Sequence, residues 1–288
     1  MIPFAIAGVQ MRTVPGADNV PVMGQGLAAL LHRFPWVQMA LFSELAAYGA
    51  SPASAQPPGG KAELAFREMA AQHKIWLIPG SHFEQVDGRI HNTALVIDPA
   101  GTVIQRYRKM FPFRPFEADV APGTDFCIFD VPEVGRFGVS ICYDMWFPET
   151  TRTLAALGAE VILHPTMTDT IDRDVELPIA RAMAAINQCY FFDINGVGAG
   201  GVGRSIVVDP SGYVLHEAGN DTELIPIRID LARVRWERET GVRGLGQPLK
   251  SFRDRPVDFA VYQRDSFDRR YLDSLGALAK PARDAPVG

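Results

Sequence analysis

Only 3 of the 288 residues are cysteine, and no two of them form a CxxC pair. Neither a disulfide framework nor a zinc knuckle is expected, because both need cysteines paired at short spacing. No apolar stretch approaches the roughly 20 residues of a membrane span. The opening "MIPFAIAGVQMR" has no basic start before its short apolar run, so no secretory leader is expected either. An excess of positive charge is also missing: a net charge of −5 gives no reason to expect binding to nucleic acid or to an anionic membrane. The 6 histidines form no HxxxH pair or His/Cys cluster, so no metal and no cofactor are expected. What remains is an ordinary globular composition, 47% hydrophobic, in a chain long enough to bury a core without staples. A soluble, cytoplasmic protein is the expectation.

What the chain does have is one motif written twice. "ALVIDPAGTVI" (94–104) and "SIVVDPSGYVL" (205–215) share a β-branched strand, Asp-Pro-small-Gly and a second strand. Asp-Pro followed by Gly supplies the fixed φ and the left-handed position of a tight hairpin. Upstream of each lies a helix running into a strand, "AELAFREMAAQHKIWLIPGS" and "PIARAMAAINQCYFFDING". Further upstream, "FAIAGVQM" (4–11) resembles "FGVSICYD" (137–144), and "VQMALFSE" (37–44) matches "AEVILHPT" (159–166); Cys142 is expected where the first strand of the second half ends, opposite Gln10. Each half therefore reads strand, helix, strand, helix, strand, hairpin. The nearly continuous apolar strands suit sheets covered on both faces. Two such sheets stacked together predict an α/β fold, a four-layer α-β-β-α sandwich with an internal pseudo-two-fold repeat. No polar, Pro/Gly-rich linker separates the halves, so residues 1–235 read as one domain. Residues 236–288, rich in arginine and aromatics, read as an extension that either straps its own domain or packs across an oligomer interface.

Candidate chemistry stands at the strand ends. Cys142 closes the apolar run of "RFGVSICYDMWFPET" (136–150), and on local grounds it is either a core residue or a presented nucleophile. With an ordinary thiol pKa of about 8.5, a nucleophile there needs a base and a cation beside it. Glu44 finishes the buried run of "ALFSELAAYG", where a carboxylate must be paired or keep its proton. Lys109 follows the first hairpin in "QRYRKMFPFRPFEADVAPG", and Met110, Phe111, Phe113 and Phe116 would enclose it, so it needs an acidic partner.

"SELAAYG", "YRKMFPF" and "ICYDMWFPE", in that order, resemble the three catalytic motifs of the nitrilase superfamily of carbon–nitrogen hydrolases, and the resemblance extends over roughly residues 4–235. It implies the sandwich already read from the repeat. It also implies Cys142 as nucleophile, Glu44 as general base and acid, Lys109 as the cation facing the tetrahedral intermediate, and Glu117 as a second glutamate with a positioning role. Tyr143-Asp144 with Phe147-Pro148-Glu149 resembles the amidase and carbamoylase branches. The implied activity is hydrolysis of a small or medium amide through a cysteine thioester, with release of ammonia. N-carbamoyl hydrolysis, nitrile hydrolysis and acyl transfer are the alternatives, and a binding protein on a dead hydrolase scaffold is the reading from another class.

Tyr143, Trp146, Phe116, Met167 and Thr168 are the expected substrate contacts, and Asp169 or Arg173 is placed to read a charged group. A homodimer or larger homo-oligomer is expected, joined through the "PETTRTLAALGAE" and "ELPIARAMAAINQ" helices. The chain departs from the family pattern at Ser43, where proline is usual, and at Ile186-Asn187, where Glu-Asn is common. "GVGAGG" (196–201) matches a dinucleotide fingerprint but runs into a hairpin where that motif needs a helix, so it reads as a loop at the mouth of the site. Cys127 and Cys189 read as buried small residues. His164, ending "VILHP", reads as a structural histidine, with a Cys–His pair as the rival mechanism.

Overall fold

A computed structural model describes residues 1–263 and 265–280; residue 264 and residues 281–288 of the expected extension lie outside the described residues. The first half runs β1 (Pro3–Gln10), a short β2 (Arg12–Thr13), α1 (Val20–Arg33), β3 (Met39–Phe42), α2 (Lys61–His73), β4 (Trp76–Ile78), β5 (Ser81–Val86), β6 (Arg89–Ile97) and β7 (Val103–Arg108). β8 (Cys127–Val131) ends the first half, and the second half runs β9 (Gly135–Val139), α3 (Pro148–Ala156), β10 (Val161–Thr166), α4 (Asp172–Asn187), β11 (Tyr190–Asn195), the two-residue strands β12 (Val197–Gly198) and β13 (Gly201–Val202), then β14 (Ile206–Val208) and β15 (Val214–Glu217). β16 (Glu223–Asp230), α5 (Leu231–Thr240), α6 (Pro248–Asp254) and α7 (Arg270–Ser274) close the described chain.

The helices form where apolar residues recur at helical spacing. α1 buries Val20, Met23, Leu27 and Leu30, and α2 buries Ala62, Phe66 and Ala70, each set falling on one face. Strand residues alternate instead. In β1, Phe4 and Ile6 join a core shared with Phe137, Val139, Leu163 and Phe192 of the other sheet, while Ala7 and Val9 join α1 and α2. In the second sheet, Ile162, Phe191 and Ile206 face α3 and α4. The three cores order the layers as helices, sheet, sheet, helices. Gly8 marks a close approach between the sheets, since a Cβ there would lie 2.3 Å from Ile194 Cδ1.

Both repeated hairpins form, as β6–β7 and β14–β15. The sequence reading missed an additional hairpin strand, β5, which pairs with β6, and it missed an exchange. After the first hairpin, β8 pairs antiparallel with β9 in the second sheet; after the second hairpin, β16 pairs antiparallel with β1 in the first sheet. Each half thus lends its last strand to the other, and the two share a single inter-sheet core. Beyond β16, Arg235 of α5 pairs with Glu160 at 2.7 Å, and the Tyr262 hydroxyl donates to Glu149 of α3 at 2.6 Å. Tyr262 of the extension thus touches a helix of its own chain, while Tyr271, Leu275 and Leu278 are 76%, 66% and 73% exposed. Among the described residues, no helix is long and apolar enough to cross a membrane.

Candidate active site

β3 ends at Phe42, and the chain turns through Ser43 to Glu44. The backbone N–H of Glu44 donates to Thr166 O at 3.2 Å, stitching the end of β3 to the end of β10 in the other sheet. The next residue, Leu45, has φ 51, and its N–H donates to Ser81 Oγ at 3.0 Å. Gly80 runs directly beneath this turn with φ +74, and a Cβ there would fall 1.8 Å from Ser43 O, so only glycine fits. Lys109 follows β7 and donates its backbone N–H to Asn92 O at 2.8 Å. Cys142 follows β9 and opens a 3-10 turn, Cys142–Trp146, with φ 47. A left-handed cysteine is strained by about 1–2 kcal/mol, a cost the surrounding structure must hold in place.

These three distant side chains converge. Lys109 Nζ donates to Glu44 Oε1 at 2.8 Å and to Glu117 Oε2 at 2.9 Å, which leaves the third ammonium donor for a cavity occupant. The Cys142 thiol lines the same cavity as Glu44 and Lys109. All three are buried, Lys109 to 1% exposure and Glu44 to 2%. Burial raises the Glu44 pKa above its ordinary value, and the charge of Lys109 opposes that rise. Burial alone would lower Lys109, but Glu44, Cys142 and Glu117 overcome it, so the ammonium is held well above its usual pKa. Burial followed by the charge of Glu44 pushes the Cys142 thiol well up. The resting thiol is therefore protonated beside a carboxylate and an ammonium, so attack on a carbonyl requires proton transfer to the carboxylate.

All nine expected residues, Glu44, Lys109, Glu117, Cys142, Tyr143, Trp146, Phe116, Met167 and Thr168, line one cavity of about 790 Å³. Asp169 lines it too; Arg173 does not. Arg173 is fully buried in an ion-pair network with Asp193 at 2.7 Å and Glu176 at 3.1 Å, which corrects the expectation that it reads a charged substrate. Its guanidinium is already spent. His164 Nδ1 bonds Ser140 Oγ at 2.7 Å, its ring leans on Phe191, and burial lowers its pKa to about 4. It lacks the contacts of a base for the thiol. Cys127 and Cys189 are buried, and burial pushes each thiol up to about 12. The glycine segment 196–201 forms the β12–β13 ribbon, with no helix to meet a pyrophosphate, and its Gly200 lines the cavity.

Two supporting residues escaped the sequence reading. Asn92, buried within β6, donates from Nδ2 to Glu44 Oε1 at 2.8 Å. Asp144 accepts from Tyr107 Oη at 2.6 Å and from the backbone N–H groups of Ile141 and Phe111, both at 2.8 Å. It thereby ties the Lys109 loop to the Cys142 turn, and burial raises its pKa to about 6. The only sequence signal for either was a polar residue inside or beside an apolar run.

Residues 6–238 match the family model described as carbon-nitrogen hydrolase. Among curated proteins, the chain is 32% identical over 189 residues to the deaminated glutathione amidase of Dictyostelium discoideum, covering 57% of this chain and 64% of that protein. It is 33% identical over 190 residues to an (R)-stereoselective amidase of a Pseudomonas species, covering 64% and 68%, and 30% identical over 207 residues to human omega-amidase NIT2, covering 65% and 74%. The chain thus spans slightly less than two thirds of the length of the Dictyostelium relative. Among solved structures, Saccharomyces cerevisiae Nit3, a member of branch 10 of the nitrilase superfamily, superposes with a TM-score of 0.76 at 25% identity, over 82% of this chain and 93% of that one. A variant of a Nesterenkonia amidase, with the acetamide moiety of fluoroacetamide added covalently at its active-site cysteine, superposes with a TM-score of 0.73 at 25% identity, over 82% and 94%.

Proposed function

The chain belongs to the carbon-nitrogen hydrolase family, and from that premise we propose that it is a thiol amidase that cleaves a small or medium amide and releases ammonia. Cys142 Sγ attacks the amide carbonyl while Glu44 takes the thiol proton. The oxyanion that forms is met by the third N–H of Lys109 and by the backbone N–H of Tyr143, each such donor being worth about 10²–10³ in rate. Glu44 returns its proton to the nitrogen as the C–N bond breaks, and ammonia leaves a thioester. Water then gives a proton to Glu44 and adds to the thioester; the C–S bond breaks and sulfur regains the proton. Glu117 holds Lys109 in register, and Phe116, Trp146, Met167 and Thr168 contact the acyl group.

The observation that carries this reading is the convergence of acid, amine and thiol on one cavity, with the acid and the amine hydrogen-bonded to each other. The activities for which the relatives are named point the same way. The same residues serve N-carbamoyl compounds and nitriles, so the test is ammonia release across a panel of amides, carbamoyl compounds and nitriles. Turnover of amides, with an acyl-enzyme mass adduct lost in Cys142→Ala, is the expected result. Ammonia from no member of the panel, with Cys142 inert to iodoacetamide, sinks the proposal.

The protein acts in the cytoplasm as a homodimer or larger assembly, with 1–235 as its catalytic domain and 236–288 as the extension. Three unpaired cysteines and the exposed Tyr271, Leu275 and Leu278 support that reading. A monomer by light scattering at micromolar concentration contradicts it.

A further inference from the structure

The ionisable groups lining the catalytic cavity are one-sided. Besides Cys142 and Tyr143 they are six carboxylates, Glu44, Glu117, Asp119, Asp169, Asp172 and Glu176, against one ammonium, Lys109. Lys109 is committed to Glu44 and Glu117, and Glu176 is committed to Arg173 and the Thr168 hydroxyl. That leaves Asp119, Asp169 and Asp172 at the mouth, with no ion pair among the described residues. Asp172 does accept from the Thr170 hydroxyl at 2.9 Å. Nearby cations do not offset them. Arg204 pairs with Asp174 and Glu217, and Arg114 points at the backbone carbonyls of Glu117, Ala118 and Val120. One cation does reach the mouth: the ammonium of Lys280 lies 4.8 Å from the centroid of Phe116, the exposed aromatic of the cavity rim. The rim thus combines unpaired carboxylates with an aromatic face that already holds an ammonium.

Resting on the amidase reading above, we infer that this cavity selects amides whose distal group is cationic or uncharged and rejects amides bearing a carboxylate, with Asp169 and Asp172 as the specificity-determining residues. A carboxylate entering the cavity meets three unpaired acids at the mouth against the single ammonium of Lys280, a net like charge, whereas an ammonium gains the acids. In this the chain differs from the 2-oxoglutaramate amidase to which it is 29% identical, whose named substrate carries a carboxylate.

Binding is measured by calorimetry on the full-length Cys142→Ala protein with three primary amides of equal length, ending in an ammonium, a methyl and a carboxylate. The ammonium amide is expected to bind roughly tenfold tighter than the carboxylate amide at low ionic strength, the size of a mouth-charge effect at partly exposed sites. The gap should narrow by 0.5 M salt. In the Asp169→Asn/Asp172→Asn variant it should shrink about threefold without salt. Asp169 is exposed and Asp172 half-buried, and Asn matches Asp in size at both, so the variant is expected to fold. A carboxylate amide bound as tightly as the ammonium amide, or a gap unmoved by the double variant, overturns the inference. Ammonia release from the methyl amide by the native enzyme is scored separately: its absence with the binding order intact removes the amidase reading and leaves the charge selection standing.

Discussion

β1 in the first half and β9 in the second are equivalent strands of the repeat, each paired in parallel with the next strand of its sheet, Gly8 to Leu41 and Val139 to Leu163. Aligning Leu41 with Leu163 makes Gln10 the twin of Ile141 and Met11 the twin of Cys142, one residue away from the sequence reading that set Gln10 opposite the cysteine. By the same repeat Glu44 corresponds to Thr166, and Lys109 to Asn220. The acid, amine and thiol therefore have as their twins in the repeat a hydroxyl, an amide and a thioether, none of which titrates, although Glu44 and its twin Thr166 meet at the pseudo-axis through the Glu44 N–H. The twin end is also closed up. Gln10, 1% exposed, accepts from the backbone N–H and the hydroxyl of Ser205 at 3.0 and 2.7 Å and donates to the carbonyls of Gly219 and Asp221 at 2.8 and 2.5 Å. The repeat supplies the scaffold twice, and three substitutions at strand ends turn one copy into a site. Because Glu44 and Lys109 come from the first half and Cys142 from the second, that site exists only when both halves are folded together.

The largest expected effect comes from making the active end resemble its twin. Cys142→Ala should lower kcat by about 10⁴-fold or more, Glu44→Gln should do comparable damage, and the double variant should be little worse than either, since the pair acts as a unit. Single-turnover ammonia release measures this; multiplying losses in the double variant would mean that the two residues work separately. Next comes Lys109→Met. It removes an oxyanion donor, worth about 10²–10³ in rate, and leaves two carboxylates facing each other in a buried site, at about 3–5 kcal/mol of stability. A Lys109→Met enzyme with near-native kcat would show that the ammonium is structural only.

A smaller effect follows from pH. In the proposed mechanism Glu44 is the base and must be ionised, and burial holds its pKa above the ordinary carboxylate value while Lys109 pulls it back. As pH falls through that raised value, kcat/KM should drop tenfold per unit, with its midpoint above 4.5. Lys109→Met should move the midpoint higher still, since the opposing charge is gone. A midpoint at or below 4.5 in the native enzyme would mean that Glu44 is not the titrating base.

How much of this was legible in the sequence follows from what each residue's neighbours announce. Glu44, Lys109 and Cys142 stood out because a charged or reactive group ended an apolar run, and their motifs stood in order. Asn92 gave no such signal: it sits inside a strand sequence, and its role depends on Glu44, which is 48 residues away. Asp144 was read only as part of the turn after the nucleophile, because its partner Tyr107 belongs to the other half. Arg173 looked available because Asp193, which holds it, lies buried in β11. The exchange of β8 and β16 was hidden for the same reason. Residues declare that a segment is a strand, whereas the sheet it joins is decided by long-range packing.

The smallest kinetic effect is expected at the twin end, where the comparison is sharpest. Gln10→Leu keeps the side-chain volume close to native but leaves the Ser205 hydroxyl only the longer bond to Asn195 O at 3.4 Å, takes one of two donors from Gly219 O, and removes the side-chain donor to Asp221 O. Gly219 and Asp221 are exposed, so water can replace the lost donor there, and the weakened buried Ser205 hydroxyl should cost about 1–2 kcal/mol in urea unfolding. Ser205→Ala, which deletes one partner and leaves the Gln10 carbonyl bonded to the backbone N–H, should cost about 1 kcal/mol. In both variants kcat per folded molecule should match the native enzyme, because no atom of this network lines the cavity. A tenfold fall in kcat in folded Gln10→Leu protein would mean that the two ends are coupled through the shared core between the sheets, and that the quiet copy of the repeat contributes to the chemistry of the other.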